Sequence, residues 1–121
     1  MKPAAHPTPA QAAGGGAEDR AARFLASKGL RIVARNYRTR QGEIDLVAQD
    51  GGVLVFVEVR LRSTGAHGGA LASITHAKQR RLATAARHFL RRLGREPPCR
   101  FDVVAIEGDE TRWLRGAFDA A

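Results

Sequence analysis

The chain has one cysteine, Cys99, among 121 residues. That excludes an intramolecular disulfide and a zinc site built on cysteine pairs, and it fits a reducing, cytoplasmic setting. Histidine does not fill the gap, because His67, His76 and His88 show no ligand spacing. Long apolar runs are missing as well. The longest unbroken aliphatic or aromatic run is Val53 to Val57, so no transmembrane helix is expected. The N-terminus lacks the apolar stretch of a signal peptide. Acidic residues are scarce in one region: Arg60 through Arg100 holds ten Lys or Arg and a single acid, Glu96. The formal net charge of +8 is therefore unevenly spread. A surface of this kind suits a polyanion and points to nucleic acid, against the plainer reading of a solvated basic surface and the lesser one of a membrane surface.

What is present reads as one α/β domain. Met1 to Ala17 is rich in Pro, Ala and Gly and reads as a disordered tail, which leaves 18–121 as the folded unit. Ala17 to Lys28 carries a helical pattern with Gly29 as its stop. Leu30 to Tyr37 reads as a strand, and two more are expected at about Glu43 to Gln49 and Val53 to Leu61. The Gly-rich stretch from Arg62 to Ala72 reads as a mobile loop. Ser73 to Leu93 is the longest expected helix, ended by Gly94 and Pro97-Pro98. Arg100 to Ile106 is a further buried strand, and a short one follows at about Thr111 to Leu114. The order α-β-β-β-α-β-(β) predicts a mixed central sheet flanked by helices on both faces.

The chemistry concentrates in the hairpin. Asp50-Gly51 between two apolar runs is a strong turn signal. A loop of Asp50 and Gly51, or of Gln49 to Gly52, opposes residues whose numbers sum to 101. Asp45 then faces Phe56, and Glu43 faces Glu58. Glu43, Asp45, Glu58 and Arg60 share one face, with Asp45 and Glu58 as diagonal neighbours roughly 7–8 Å apart. The other face carries Ile44, Leu46, Ala48, Val53, Val55, Val57 and Val59 without a charge. A loop of odd length would bury Glu58 among these valines, at a cost of roughly several kcal/mol.

Two converging carboxylates suit a hard cation of the Mg²⁺ type. Asp45 and Glu58 are the leading metal ligands, against the plainer reading of acids held by Arg60. Glu43 is either a third ligand, a partner of Arg60 or an exposed strand-end charge. Glu18 is either a supplementary ligand or water positioner, or an acid that favours the helix dipole. Arg60 points the same way as Glu58 and can hold a phosphate or stabilise transition-state charge; it cannot act as a base. Lys78 interrupts the apolar stripe of its helix and either snorkels or reaches the carboxylates. Arg62, Arg80, Arg81 and Arg87 are candidate nucleic-acid contacts. Asp102, inside a buried strand, reads as a structural hydrogen-bonding group, and Trp113 and Phe118 as packing residues.

Taken in order, Glu18, Gly42-Glu43-Ile44-Asp45, Phe56-Val57-Glu58-Val59-Arg60, Lys78 and Arg100-Phe101-Asp102-Val103-Val104 resemble the YraN family of small bacterial proteins. The resemblance runs from about Glu18 to Phe118. That family is in turn similar to Holliday-junction resolvases and other PD-(D/E)XK nucleases. The resemblance implies a restriction-endonuclease-like fold and a Mg²⁺ or Mn²⁺ site. By position, Asp45 is the first acid, Glu58 the second and Glu18 the helix acid. It also suggests branched DNA as substrate, and a homodimer. Two departures stand out: Arg60 occupies the place of the usual lysine, and no proline precedes Asp45. The reading is a cytoplasmic nucleic-acid-binding protein with a metal-dependent endonuclease site. Its rivals are a binding module without catalysis and an adaptor whose basic face meets an acidic protein.

Overall fold

The structure is a computed structural model, and it describes residues 9–62 and 74–119. Helix α1 (Pro9–Ser27) is followed by β1 (Arg31–Arg38), β2 (Glu43–Asp50) and β3 (Val53–Arg62). Helix α2 (His76–Leu93), β4 (Cys99–Glu107) and β5 (Glu110–Phe118) complete the order α-β-β-β-α-β-β. The five strands form one sheet in the order β1-β2-β3-β4-β5. Only the central β3–β4 pair is parallel, from Leu54↔Cys99 to Arg62↔Glu107. A parallel pair needs a crossover, and α2 lies within that connection. The mixed α/β sheet agrees with the restriction-endonuclease-like expectation. No helix among the described residues is long and apolar enough to cross a membrane.

Both faces of the sheet are covered. Ala21 and Leu25 of α1 pack on Leu46, Ala48, Val55, Val57, Val104 and Ile106. Leu82, Ala83, Ala85 and Ala86 of α2 pack on Ile44, Val47, Leu54, Phe56 and Phe101. Apolar residues on both faces explain why β3 reads as an unbroken hydrophobic run rather than an alternating one.

Several expectations are corrected. Helix α1 begins at Pro9, well before Ala17, so the expected tail is helical from Pro9 onward. Proline suits the first helical position, Ala10 to Ala13 are good formers, and each later glycine costs only about 1 kcal/mol. Residues 1–8 lie outside the described residues, as does the Gly-rich loop at 63–73. Strand β5 is longer than expected and runs to Phe118.

The hairpin register also differs, by two residues. Asp50 pairs with Val53 and Leu46 with Val57, so the pair numbers sum to 103 and the turn is Gly51-Gly52. Gly51 adopts φ 59, a left-handed conformation that glycine accepts freely and aspartate does not. Asp50 is instead held as a strand end by Arg100 and Arg115, each at 3.1 Å. The face assignment fails at one residue: Ile44 packs under α2, not with Leu46 and Ala48 under α1. The β2–β3 ladder ends at Leu46↔Val57, and the side chains of β2 stop alternating regularly there.

Candidate active site

The site lies where β2 and β3 part. Asp45 and Glu58 each lie one residue beyond Leu46↔Val57, the last pair of the ladder, and they interact. Because β2 no longer alternates here, the nearness of the two acids rests on their contact, Glu58 acting on Asp45 by charge and by a side-chain hydrogen bond. Asp45 Oδ2 accepts a hydrogen bond from the Val59 backbone N–H at 2.8 Å. A side chain thus takes up a backbone donor just past the last ladder pair, which anchors the Asp45 carboxyl against β3.

Glu58 is buried, at 3 % exposure. Its Oε2 accepts from Arg60 at 3.2 Å and forms an ion pair with Lys78 Nζ at 3.4 Å. Two cations on one oxygen account for how a carboxylate can sit at this depth. Lys78 reaches it from the first turn of α2, where the N-cap Thr75 side chain accepts from the Lys78 N–H at 3.1 Å. A cation in a helix's first turn opposes the helix dipole, and that turn holds no acid. Glu58 offsets that repulsion.

Asp45 carries the strongest electrostatic signature. Burial, then the neighbouring Glu58 charge, push its pKa up to about 7, against the opposing Val59 hydrogen bond. Glu18 of α1 lies within electrostatic reach of Asp45. Burial also raises the Glu18 pKa, while a hydrogen bond from Asn36 lowers it. The other oxygen, Glu18 Oε1, is buried with no hydrogen-bond partner among the described residues. An orphaned carboxylate oxygen beside a second carboxyl with a raised pKa marks a place short of positive charge.

The remaining candidates fall elsewhere. Glu43 does not join the acid pair: its side chain is half exposed and pairs with Arg38 at 3.4 Å. Arg81 is exposed and lines a cleft with Lys78, while the exposed Arg80 and Arg87 line another on the far flank of α2. Arg62 ends β3, and its side chain lies outside the described residues. Asp102 is fully buried and accepts from Arg100, Trp113 Nε1 and the Gly116 N–H at 2.9 to 3.0 Å. That is the structural role expected of it. Among the described residues no group of three or more His, Cys, Asp or Glu is arranged to hold a metal ion.

Two residues at the site were given no role from sequence. Asn36 holds Glu18 from a left-handed backbone, φ 52, inside β1. Asparagine tolerates that conformation better than most residues, so an Asn inside a strand was the available signal. Gly42 lies against α2: a Cβ there would fall 2.2 Å from the Arg81 carbonyl oxygen. Only glycine lets the β1–β2 turn approach the helix so closely.

Comparison with known proteins finds one family across this region. The family model for the uncharacterised protein family UPF0102 matches residues 17–106, which include Glu18, Asp45, Glu58 and Lys78. The UPF0102 protein of Methylibium petroleiphilum is 56% identical over 118 residues, covering 92% of this chain and 97% of the relative. That of Cupriavidus taiwanensis is 61% identical over 111 residues, covering 91% of this chain and 85% of the relative. That of Paracidovorax citrulli is 56% identical over 121 residues, covering 97% and 90%.

Proposed function

This chain belongs to the uncharacterised protein family UPF0102, the YraN family that its motifs resemble, and from its site we propose that it binds nucleic acid and hydrolyses phosphodiester bonds with a divalent cation. The observation that carries the reading is the constellation at Glu58. Asp45 lies across the hairpin from it, and Arg60 and Lys78 both meet its Oε2. Two acids flanked by two cations offer both halves of what a phosphodiester needs: a cation site and donors for the phosphate.

The residues fit Mg²⁺ or Mn²⁺. The donors are hard carboxylate oxygens, and one of them, Glu18 Oε1, lacks any partner among the described residues. Mg²⁺ commonly keeps several waters and takes one or two carboxylates with a substrate phosphate, so a preformed three-acid cage is not required. Asp45 and Glu58 would hold it, with Glu18 close enough to orient a ligated water. Such a cation, when bound, polarises a phosphoryl oxygen and lowers the pKa of bound water.

The chain's own residues supply the rest. Lys78 and Arg60 bring positive charge to the same carboxylate oxygen, and so stand where the charge of a pentacovalent phosphorane would develop. Arg60 stays protonated and acts only by charge and hydrogen bonding. Lys78, arriving on a different element, is the ammonium of the site. The exposed arginines of α2 would contact the backbone without reading sequence.

The test uses pure protein with branched, single-stranded and supercoiled DNA, with Mg²⁺ or Mn²⁺. Nicking by the wild type is expected to vanish in Asp45→Ala and in Glu58→Ala. Nicking that persists in both would place the chemistry elsewhere and end this proposal.

A second reading has its own support. Glu58 is already paired with Arg60 and Lys78, which suits a binding module that admits no cation. Thermal melting separates the two. The nuclease reading expects divalent cation to raise the wild-type melting temperature but not that of Asp45→Ala; an unchanged wild type would favour the binding module.

A further inference from the structure

Beyond the acid pair, a cleft of about 330 Å³ separates the β1–β2 turn from the N-terminal half of α2. Its walls include Thr39, Arg40, Glu43, Lys78 and Arg81. Lys78 is common to the cleft and to the acid pair, since its Nζ lies 3.4 Å from Glu58 Oε2. The cleft therefore opens directly beside the proposed reaction centre.

Its lining is positive, and of its three cations only Lys78 is ion-paired among the described residues. No acidic partner within ion-pair distance of Arg40 or Arg81 occurs among the described residues, whereas Glu43, the one acid in the lining, is engaged by Arg38. Both arginines are exposed. The shape of the cleft is fixed rather than incidental. Thr39 N–H and Oγ1 both donate to the Gly42 carbonyl, at 2.8 and 2.9 Å, and the Gly42 N–H returns a bond to Thr39 Oγ1 at 3.1 Å. This closed turn presses Gly42 against the Arg81 backbone. Arg40 thus enters the cleft from the turn and Arg81 from α2.

We infer that this cleft is a second phosphate subsite, which takes the backbone phosphate next to the one at the acid pair on the same nucleic-acid strand. Planar guanidinium groups from two walls suit the oxygens of one phosphodiester. The inference rests on the nucleic-acid reading proposed above. It adds that the strand has a fixed course, from the acid pair past Lys78 and between the β1–β2 turn and α2.

The test compares Arg40→Ala/Arg81→Ala with Arg31→Ala/Arg112→Ala. The second pair removes the same two charges from exposed positions on β1 and β5. Binding of a fluorescent DNA duplex is measured in EDTA across a salt series, so that no cleavage is needed. Melting temperatures confirm that each variant folds, and Arg40→Gln/Arg81→Gln repeats the measurement with bulkier side chains. Loss of one phosphate contact predicts at least about a tenfold weaker Kd at low salt. It also lowers the slope of log K against log salt by about 0.9. The control pair should stay within about threefold of wild type. Equal losses in both pairs would show a net-charge effect and overturn the subsite while leaving the nuclease reading intact. Undiminished binding by the cleft variant would do the same. No binding by the wild type would overturn both.

Discussion

Asp45 is the residue whose protonation is most displaced, and its sign can be worked through. Its folded pKa of about 7 lies above its ordinary value of 3.8. The folded state therefore holds this proton more tightly than the unfolded chain does. The associated stability is complete below the ordinary value and is lost as pH rises through about 7. Without metal, the protein should lose roughly 1–3 kcal/mol from this group between about pH 4 and 8. Asp45→Asn keeps an acceptor for the Val59 N–H and removes the charge. In EDTA it should melt higher than wild type at pH 8, with the gap closing toward pH 4. A gap of constant size across that range would show that Asp45 does not titrate there. From sequence, the nearness of Asp45 and Glu58 was legible from the hairpin itself, although neither its register nor strict alternation as far as Ile44 held. The orphaned Glu18 oxygen and its Asn36 partner were not, because each depends on how α1 settles on a distorted β1.

Turn and strand chemistry dominates at the scale of elements. The β2–β3 hairpin was recognisable from its apolar runs, yet its register was displaced by two. Sequence pointed to Asp50-Gly51 or Gln49 to Gly52 as the loop; the observed Gly51-Gly52 turn goes with Arg100 and Arg115 reaching Asp50 from β4 and β5. Distant arginines leave no local trace. The same limit hid the purpose of Gly42, whose neighbour is a helix beginning 34 residues later. Gly42→Ala should push the Thr39–Gly42 turn off α2 and cost about 1–3 kcal/mol, read by chemical denaturation. A neutral outcome would mean that the turn and helix are not pressed together. At the opposite side of the sheet, Asp102 joins Arg100, Trp113 and the Gly116 N–H. Asp102→Ala strands the Arg100 guanidinium and these donors. It should lower stability by about 3–5 kcal/mol, and a loss under about 1 kcal/mol would contradict a structural role.

Charge separation defines the whole molecule. Helix α2 shows arginines on both flanks, while Glu18, Asp45 and Glu58 come together beside the hairpin. The layout was visible in the run from Arg60 to Arg100, since charge distribution needs only the sequence. Which arginines flank the site and which do not was hidden until α2 was laid across the sheet. If the basic surface meets a nucleic-acid backbone, affinity should fall more than about tenfold as salt rises from about 50 to 200 mM. Filter binding or anisotropy reads this directly, and a flat profile would favour an acidic protein partner instead.

Cys99 opens β4 opposite Leu54, near the start of β3, and Glu58 lies four positions further along that strand. It is exposed and is the only thiol in the chain. The molecule therefore carries a natural attachment point for a nitroxide, roughly 13 Å along the strand from the acid pair at 3.3 Å per residue. Nearby burial and Glu96 hold the thiol pKa up, so coupling calls for a more alkaline buffer than an ordinary cysteine needs. Spin relaxation by Mn²⁺ would then locate the ion, and dipolar coupling between labels would reveal pairing of two copies, all without engineering a single residue.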